Sequence, residues 1–136
     1  MIYVDSNYWI YWLDSRLPEH RYVDRVIREA IREGTVINYV TLIEVAHYLR
    51  KLPRDEFDII MEGIQGLSAL TAAELDEETT RLSLELLPKY SPKGLGARDC
   101  VVVATMKLLG VERIATHDHA FRGVKEIQVV DTIPAR

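Results

Sequence analysis

Apolar positions along this chain alternate between two periods, short continuous runs and helical stripes. Ile2 to Val4 is a short apolar run that stops at the polar triplet Asp5-Ser6-Asn7, the pattern of a strand end. Tyr8, Trp9, Tyr11 and Trp12 follow on a short helix. Pro18 opens a second helix, in whose first turn proline is tolerated. There Tyr22, Val23, Val26, Ile27, Ala30 and Ile31 keep helical spacing up to a stop at Gly34. The β-branched run Thr35 to Val40 predicts a second strand. Thr41 to Arg50 predicts a helix with Leu42, Val45, Ala46 and Leu49 inward, broken at Pro53. A further helix over about 55–64 sets Phe57, Ile60, Met61 and Ile64 on one side. Leu67 to Leu70 predicts a third strand, and Asp76 caps a helix carrying Leu82, Leu86 and Leu87. Pro88 to Gly96 holds two prolines and two glycines, which predicts a loop. The apolar run from Ala97 to Leu109 is too long for one buried strand, and Gly110 as a stop makes it a buried helix. Val111 to Ala115 and Ile127 to Val130 complete the set of strands, the last at an edge.

Strands separated by helices imply crossover connections and a parallel sheet covered on both faces. The 136 residues suit one domain, 1–136. Apolar residues make up 48% and charged residues 28%, which excludes wholesale disorder. Seventeen Lys and Arg against 21 Asp and Glu give a net charge of −4. That balance argues against a large sequence-independent grip on duplex nucleic acid, but leaves room for a local phosphate site. The single cysteine, Cys100, excludes a disulfide framework and a Cys-based zinc site within one chain. No window approaches the ~20 apolar residues of a membrane span, and the N-terminus has no signal-peptide pattern. The expectation is a cytoplasmic protein with no membrane partner.

A parallel sheet brings every turn from a strand into the next helix to one edge, the carboxyl ends of the strands. Four acids fall at or near such points: Asp5, Glu44, Asp99 and Asp118. Each has a plain local explanation. Asp5 can cap a helix. Thr41-Leu42-Ile43-Glu44 fits a capping box. Asp99 suits the positive end of a helix, and Asp118 suits a turn. Gathered on one edge, however, they would repel one another by a few kcal/mol at intermediate dielectric. A fold tolerates that by raising a pKa or by holding a cation. Oxygen-only ligands favour Mg²⁺ or Mn²⁺, and the chemistry that uses such a site is phosphoryl transfer with metal-activated water.

Four segments carry a resemblance to a known family. They are Ile2-Tyr3-Val4-Asp5-Ser6-Asn7, Thr41-Leu42-Ile43-Glu44-Val45, Arg98-Asp99-Cys100-Val101-Val102-Val103-Ala104-Thr105 and Ile114-Ala115-Thr116-His117-Asp118-His119-Ala120-Phe121. In order and spacing they resemble the PIN-domain ribonucleases, and among these the VapC-type toxins. The resemblance implies a three-layer α/β/α sandwich around a mainly parallel sheet. It implies Mg²⁺ or Mn²⁺ at the acidic cluster, cleavage of single-stranded or looped RNA, a homodimer and a cognate antitoxin. Asp5 and Asp99 match the family's main metal-binding positions. Glu44 and Asp118 match its second acidic pair, and Thr116 a supporting hydroxyl. On this reading Asp5, Asp99 and Asp118 hold the metal, and Glu44 orients or deprotonates the attacking water.

Other residues add alternatives. His117 and His119 offer a metal-free acid–base scheme, but side chains two positions apart in a turn seldom converge. Lys93, Arg98 and Arg122 are candidate phosphate contacts, with ordinary solvated surface as the bland reading. The aromatic patch Tyr8, Trp9, Tyr11 and Trp12 could stack on bases, though packing against the core or a second subunit explains it better. Cys100 sits in an apolar run and is expected to be a buried small hydrophobe. A non-catalytic PIN-like interaction module is the rival from another class. A phosphate-signalling receiver is disfavoured, because Asp5-Ser6 lacks a paired acid and the late strand is followed by Thr-His-Asp.

Overall fold

The computed structural model describes residues 1–135. Five parallel strands, β1 (Ile2–Val4), β2 (Thr35–Asn38), β3 (Leu70–Ala73), β4 (Arg113–Ala115) and β5 (Gln128–Val130), form one sheet in the order β3-β2-β1-β4-β5. Helices α1 (Ser6–Leu13) and α2 (His20–Glu33) connect β1 to β2; α3 (Tyr39–Leu49) and α4 (Arg54–Gln65) connect β2 to β3. Helices α5 (Glu77–Tyr90) and α6 (Ala97–Leu109) then return the chain from the β3 edge to β4.

The strands' period of two builds the layers. Ile2, Val4, Ile37 and Ala115 face one way and pack with Trp9, Val23, Ile27, Val45 and Met61 from α1 to α4. Tyr3, Val36 and Ile114 face the other way and meet Leu86, Tyr90, Val103 and Met106 from α5 and α6. This is the α/β/α sandwich the sequence predicts, and every pairing in the sheet is parallel. Tyr8 and Trp9 are fully buried in the first core, so these two aromatics are packing residues and cannot stack on a base. Cys100 is buried in the second core, as its apolar run predicts.

The reversal of strand order matters most for function. From β1 the chain winds outward to β2 and β3, then crosses to the opposite side of β1. The carboxyl ends of β1 and β4 therefore flank the switch point, where an open α/β sheet leaves its crevice.

Five local expectations need correction, the first being the second helix, which starts at His20 and not at Pro18. The second strand ends at Asn38, whose side chain accepts the Val40 N–H at 2.9 Å and caps α3. Thr41 is thus inside the helix, and the Thr41–Glu44 capping box does not exist; Glu44 lies in the second turn. The third strand is Leu70–Ala73, not 67–70. The last segment before Gly96 is not all loop, because α5 runs through Pro88 to Tyr90. Buried Leu86 and Tyr90 on either side of the proline anchor that turn against the second core, outweighing the lost N–H donor. The fourth strand starts at Arg113, two residues later than expected.

Candidate active site

Asp5 stands at the end of β1 and is 6% exposed. Its own N–H bonds Ala115 O on β4 at 3.0 Å, extending the ladder into the crevice. One carboxylate oxygen accepts the Ser6 N–H at 2.8 Å and so caps α1, as one of the local readings predicts. The other accepts the Thr116 hydroxyl at 2.8 Å, from just beyond β4. Capping and site membership are therefore compatible: the two oxygens divide the tasks.

Asn7 ties this corner together. Its amide donates to Thr116 Oγ1 at 3.2 Å and to Asp5 at 3.4 Å, while its carbonyl oxygen accepts the His117 N–H at 3.2 Å. The sequence shows Asn7 only as one of three favoured capping residues, so its bridging part is not legible there. Thr116 Oγ1 also accepts the Asp118 N–H at 3.1 Å. Asp118 then caps the 3-10 turn His119–Gly123 by accepting the Ala120 N–H at 3.0 Å.

Asp99 enters from the opposite face, in the first turn of α6, accepting the Gly96 N–H at 3.0 Å. Glu44 arrives on α3 and pairs with Arg98 at 3.1 Å. Arg98 is 70% exposed, so the pair adds little stability. It does place a guanidinium at the rim. Lys93 lies over the Tyr90 ring at 5.6 Å, and Arg122 stands 3.9 Å from Asp131.

A buried tyrosine sets the position of α3. The Tyr3 hydroxyl accepts the Asn38 N–H at 3.0 Å and bonds Thr41 Oγ1 at 2.7 Å. Asn38 donates in turn to Thr105 on α6 at 3.0 Å. Both faces of the sheet are thus locked at the strand end from which Glu44 is projected. Tyr3→Phe leaves the buried Asn38 N–H without its acceptor. It is expected to cost about 1–2 kcal/mol, read as a lower urea midpoint with unchanged slope.

The acids feel one another's charge. Burial pushes Asp5 up to about 6, and Asp99 and Glu44 add to the effect. Burial also raises Glu44, with Arg98 opposing and Asp99 reinforcing. Asp99 is raised by burial and by Asp118. All four predicted acids thus meet around one crevice, coupled in series. Among the described residues, no three of the four bring carboxylate oxygens within 4.8 Å of one another. An ion that keeps part of its water shell, as Mg²⁺ does, needs only one or two direct carboxylate ligands. The donor set is all oxygen, which fits Mg²⁺ or Mn²⁺.

His117 and His119 depart from expectation. Their ring centroids lie 5.7 Å apart in an edge-on arrangement, so two positions along a turn do converge here. The 3-10 turn beginning at His119 folds that ring back toward His117. Asp131, which the sequence gave no reason to single out, bonds His117 Nδ1 at 2.8 Å.

The PIN-domain family model matches residues 2–127. No curated protein sequence matches the chain. Solved structures share its fold at low identity. The VapC20 toxin of Mycobacterium tuberculosis, described as cleaving the sarcin-ricin loop, is 14% identical, with a TM-score of 0.76 over 93% of this chain and 98% of that one. FitAcB from Neisseria gonorrhoeae is 20% identical, with a TM-score of 0.73 over 95% and 96%. A toxin–antitoxin complex from Klebsiella pneumoniae is 21% identical, with a TM-score of 0.70 over 96% of each chain.

Proposed function

Because this chain belongs to the PIN-domain family, we propose that it is a metal-dependent endoribonuclease, the toxin of a type II toxin–antitoxin pair. The observation that carries the reading is the meeting of Asp5, Glu44, Asp99 and Asp118, from four separate segments, at the switch point of the sheet. RNA as the substrate is supported by the neighbouring fold that cleaves the sarcin-ricin loop. An antitoxin partner is supported by neighbours solved as toxin–antitoxin complexes.

Asp5, Asp99 and Asp118 would hold one or two Mg²⁺ or Mn²⁺ ions. When bound, such an ion lowers the pKa of its water and neutralises charge growing on the phosphate. Thr116 keeps one Asp5 oxygen fixed through its hydroxyl, and Asn7 keeps Thr116 fixed. The side chain of Glu44, 22% exposed, reaches the crevice with a raised proton affinity. That suits a group that orients the attacking water or takes its proton. Arg98 at the rim, with Lys93 and Arg122 further out, would meet the RNA backbone.

The antitoxin and a second copy of the chain would use the exposed apolar side of α3. A cleft of about 980 Å³ there is lined by Ile10, Val40, Ile43 and Tyr48 beside Glu44, and Ile43 is 68% exposed. A segment seated in it would block the acidic crevice. No described helix is long and apolar enough to cross a membrane, and a cytoplasmic site of action fits the RNA substrate.

The test is cleavage of structured and single-stranded RNA with Mg²⁺ or Mn²⁺ and with EDTA. Cleavage is expected with either ion and none in chelator. Persistence in EDTA would favour the His117–His119 scheme, and no cleavage under any condition would favour the interaction module. Millimolar Mn²⁺ should also stabilise the folded form by about 1–3 kcal/mol, a rise in melting temperature of roughly 3–10 °C. Asp99→Asn should remove most of that shift.

A further inference from the structure

We propose that His117, His119 and Asp131 form a second metal site, chemically distinct from the acidic crevice, that takes a borderline transition ion such as Zn²⁺. Each of the three offers a ligand atom, and these atoms all lie within 4.8 Å of one another. Two imidazoles with one carboxylate form a donor set that selects Zn²⁺, Co²⁺ or Ni²⁺ over Mg²⁺.

The carboxylate is already oriented for the task. One oxygen of Asp131 accepts the Tyr8 hydroxyl at 2.8 Å and the Ile133 N–H at 3.1 Å. Its other oxygen is left to face His117 Nδ1 at 2.8 Å. Supporting bonds of this kind preset a ligand and strengthen its hold on an ion. Metal–ligand distances of about 2.0–2.1 Å require ligand atoms roughly 2.9–3.4 Å apart. A separation of 2.8 Å therefore needs only a few tenths of an ångström of opening. His117 is fixed from behind, since its backbone N–H bonds Asn7. His119 is exposed and free to complete the set.

The surroundings favour a cation. A cleft of about 630 Å³ opens at the two histidines and is also lined by Tyr11 and Glu19. One Glu19 carboxylate oxygen is buried with no hydrogen-bond partner. The nearest opposing charge, Arg122, is 3.9 Å from Asp131 and 57% exposed, so it can swing away. Three protein ligands leave a position open toward the cleft for water or an added ligand. The ion would also join the segment after β5 to the turn that starts at Asp118.

The test uses the untagged full chain with Asp99→Asn in the background, so that the acidic crevice is weakened independently. Zn²⁺ binding is followed by calorimetry, and Co²⁺ by its visible absorption, which reports nitrogen-containing low-coordinate sites. Expected is one ion per chain, with affinity reduced at least tenfold by His119→Gln and by His117→Gln. Mn²⁺ affinity of the otherwise native chain should be unchanged by His119→Gln. Equal Zn²⁺ affinity with and without His119, or loss of all Zn²⁺ binding on Asp99→Asn alone, would overturn the proposal. Because His119 is exposed, its variant is expected to fold, and a preserved melting temperature checks this.

Discussion

Replacing Asp5 by asparagine is expected to abolish metal-dependent cleavage while making the metal-free protein more stable at neutral pH. The loss of activity follows from the proposed ligand role. Removing a charged ligand forfeits several kcal/mol of transition-state stabilisation, so cleavage should fall by about 10³-fold or more. The stability gain follows from burial. The Asp5 carboxyl is raised from 3.8 to about 6 in the fold, so the folded state binds the proton more tightly than the unfolded chain. Below about pH 4 the group is neutral in both states and carries no penalty. Between about pH 4 and 6 the unfolded chain loses this proton while the fold retains it, so the cost accrues over that range and levels off at up to about 3 kcal/mol above pH 6. Asparagine removes the charge and can still accept from Ser6, but its amide would face a Thr116 oxygen that already accepts from Asn7 and Asp118, so the Thr116 hydroxyl loses its acceptor and part of the gain is offset. Urea titrations should show the variant more stable by about 1–2 kcal/mol at pH 7.5, the gain vanishing near pH 4. A variant weakened equally at both pH values would contradict the account of Asp5 as a strained, buried acid.

Phe121→Ala is expected to have the largest effect on stability. Phe121 is wholly buried in the second core, yet it belongs to the short turn that Asp118 caps. The turn's ends are held by Phe121 N–H to Asp118 O at 3.3 Å, Ala120 N–H to the Asp118 carboxylate at 3.0 Å and Val124 N–H to Phe121 O at 3.1 Å. The ring anchors the segment carrying the fourth acid to the core. Truncation should cost about 3 kcal/mol or more, measured as a fall in urea midpoint. Cleavage by the fraction still folded should also drop, since Asp118 loses its fixed position. Phe121→Leu keeps most of the volume and should cost less than about 1.5 kcal/mol, with cleavage largely retained. Equal losses for both variants would mean that the turn is held by its polar contacts instead.

The two kinds of residue in these predictions were unequally legible. Helix α6 could be bounded from the chain alone, because Gly110, with φ of 69°, adopts the left-handed conformation that marks a helix end. Asp5, Asp99 and Asp118 could be placed at strand or helix ends for the same reason: caps are local. The start of α3 could not. Val40 favours a strand on intrinsic grounds, but the Asn38 cap and the Tyr3 hydroxyl hold the chain in a helix from Tyr39 onward. Pro88 also misled, since the loss of a helix donor is local while the burial of Leu86 and Tyr90 is not. Asn7 showed only as a capping candidate, and Asp131 carried no signal at all. Asn7 meets Thr116 across 109 residues, and Asp131 meets Tyr8 across 123.

By itself the sequence determined the periods of its apolar residues, hence which faces are buried, and it set an acid at the end of several elements. Those features depend on neighbours a few positions away. Only the tertiary structure decided the strand order, and with it the placing of β4 beside β1, where Thr116 reaches Asp5. That choice depends on how two faces of one sheet are covered at once, a long-range packing problem. Desolvation of the acids is equally a property of the assembled crevice and of no segment alone.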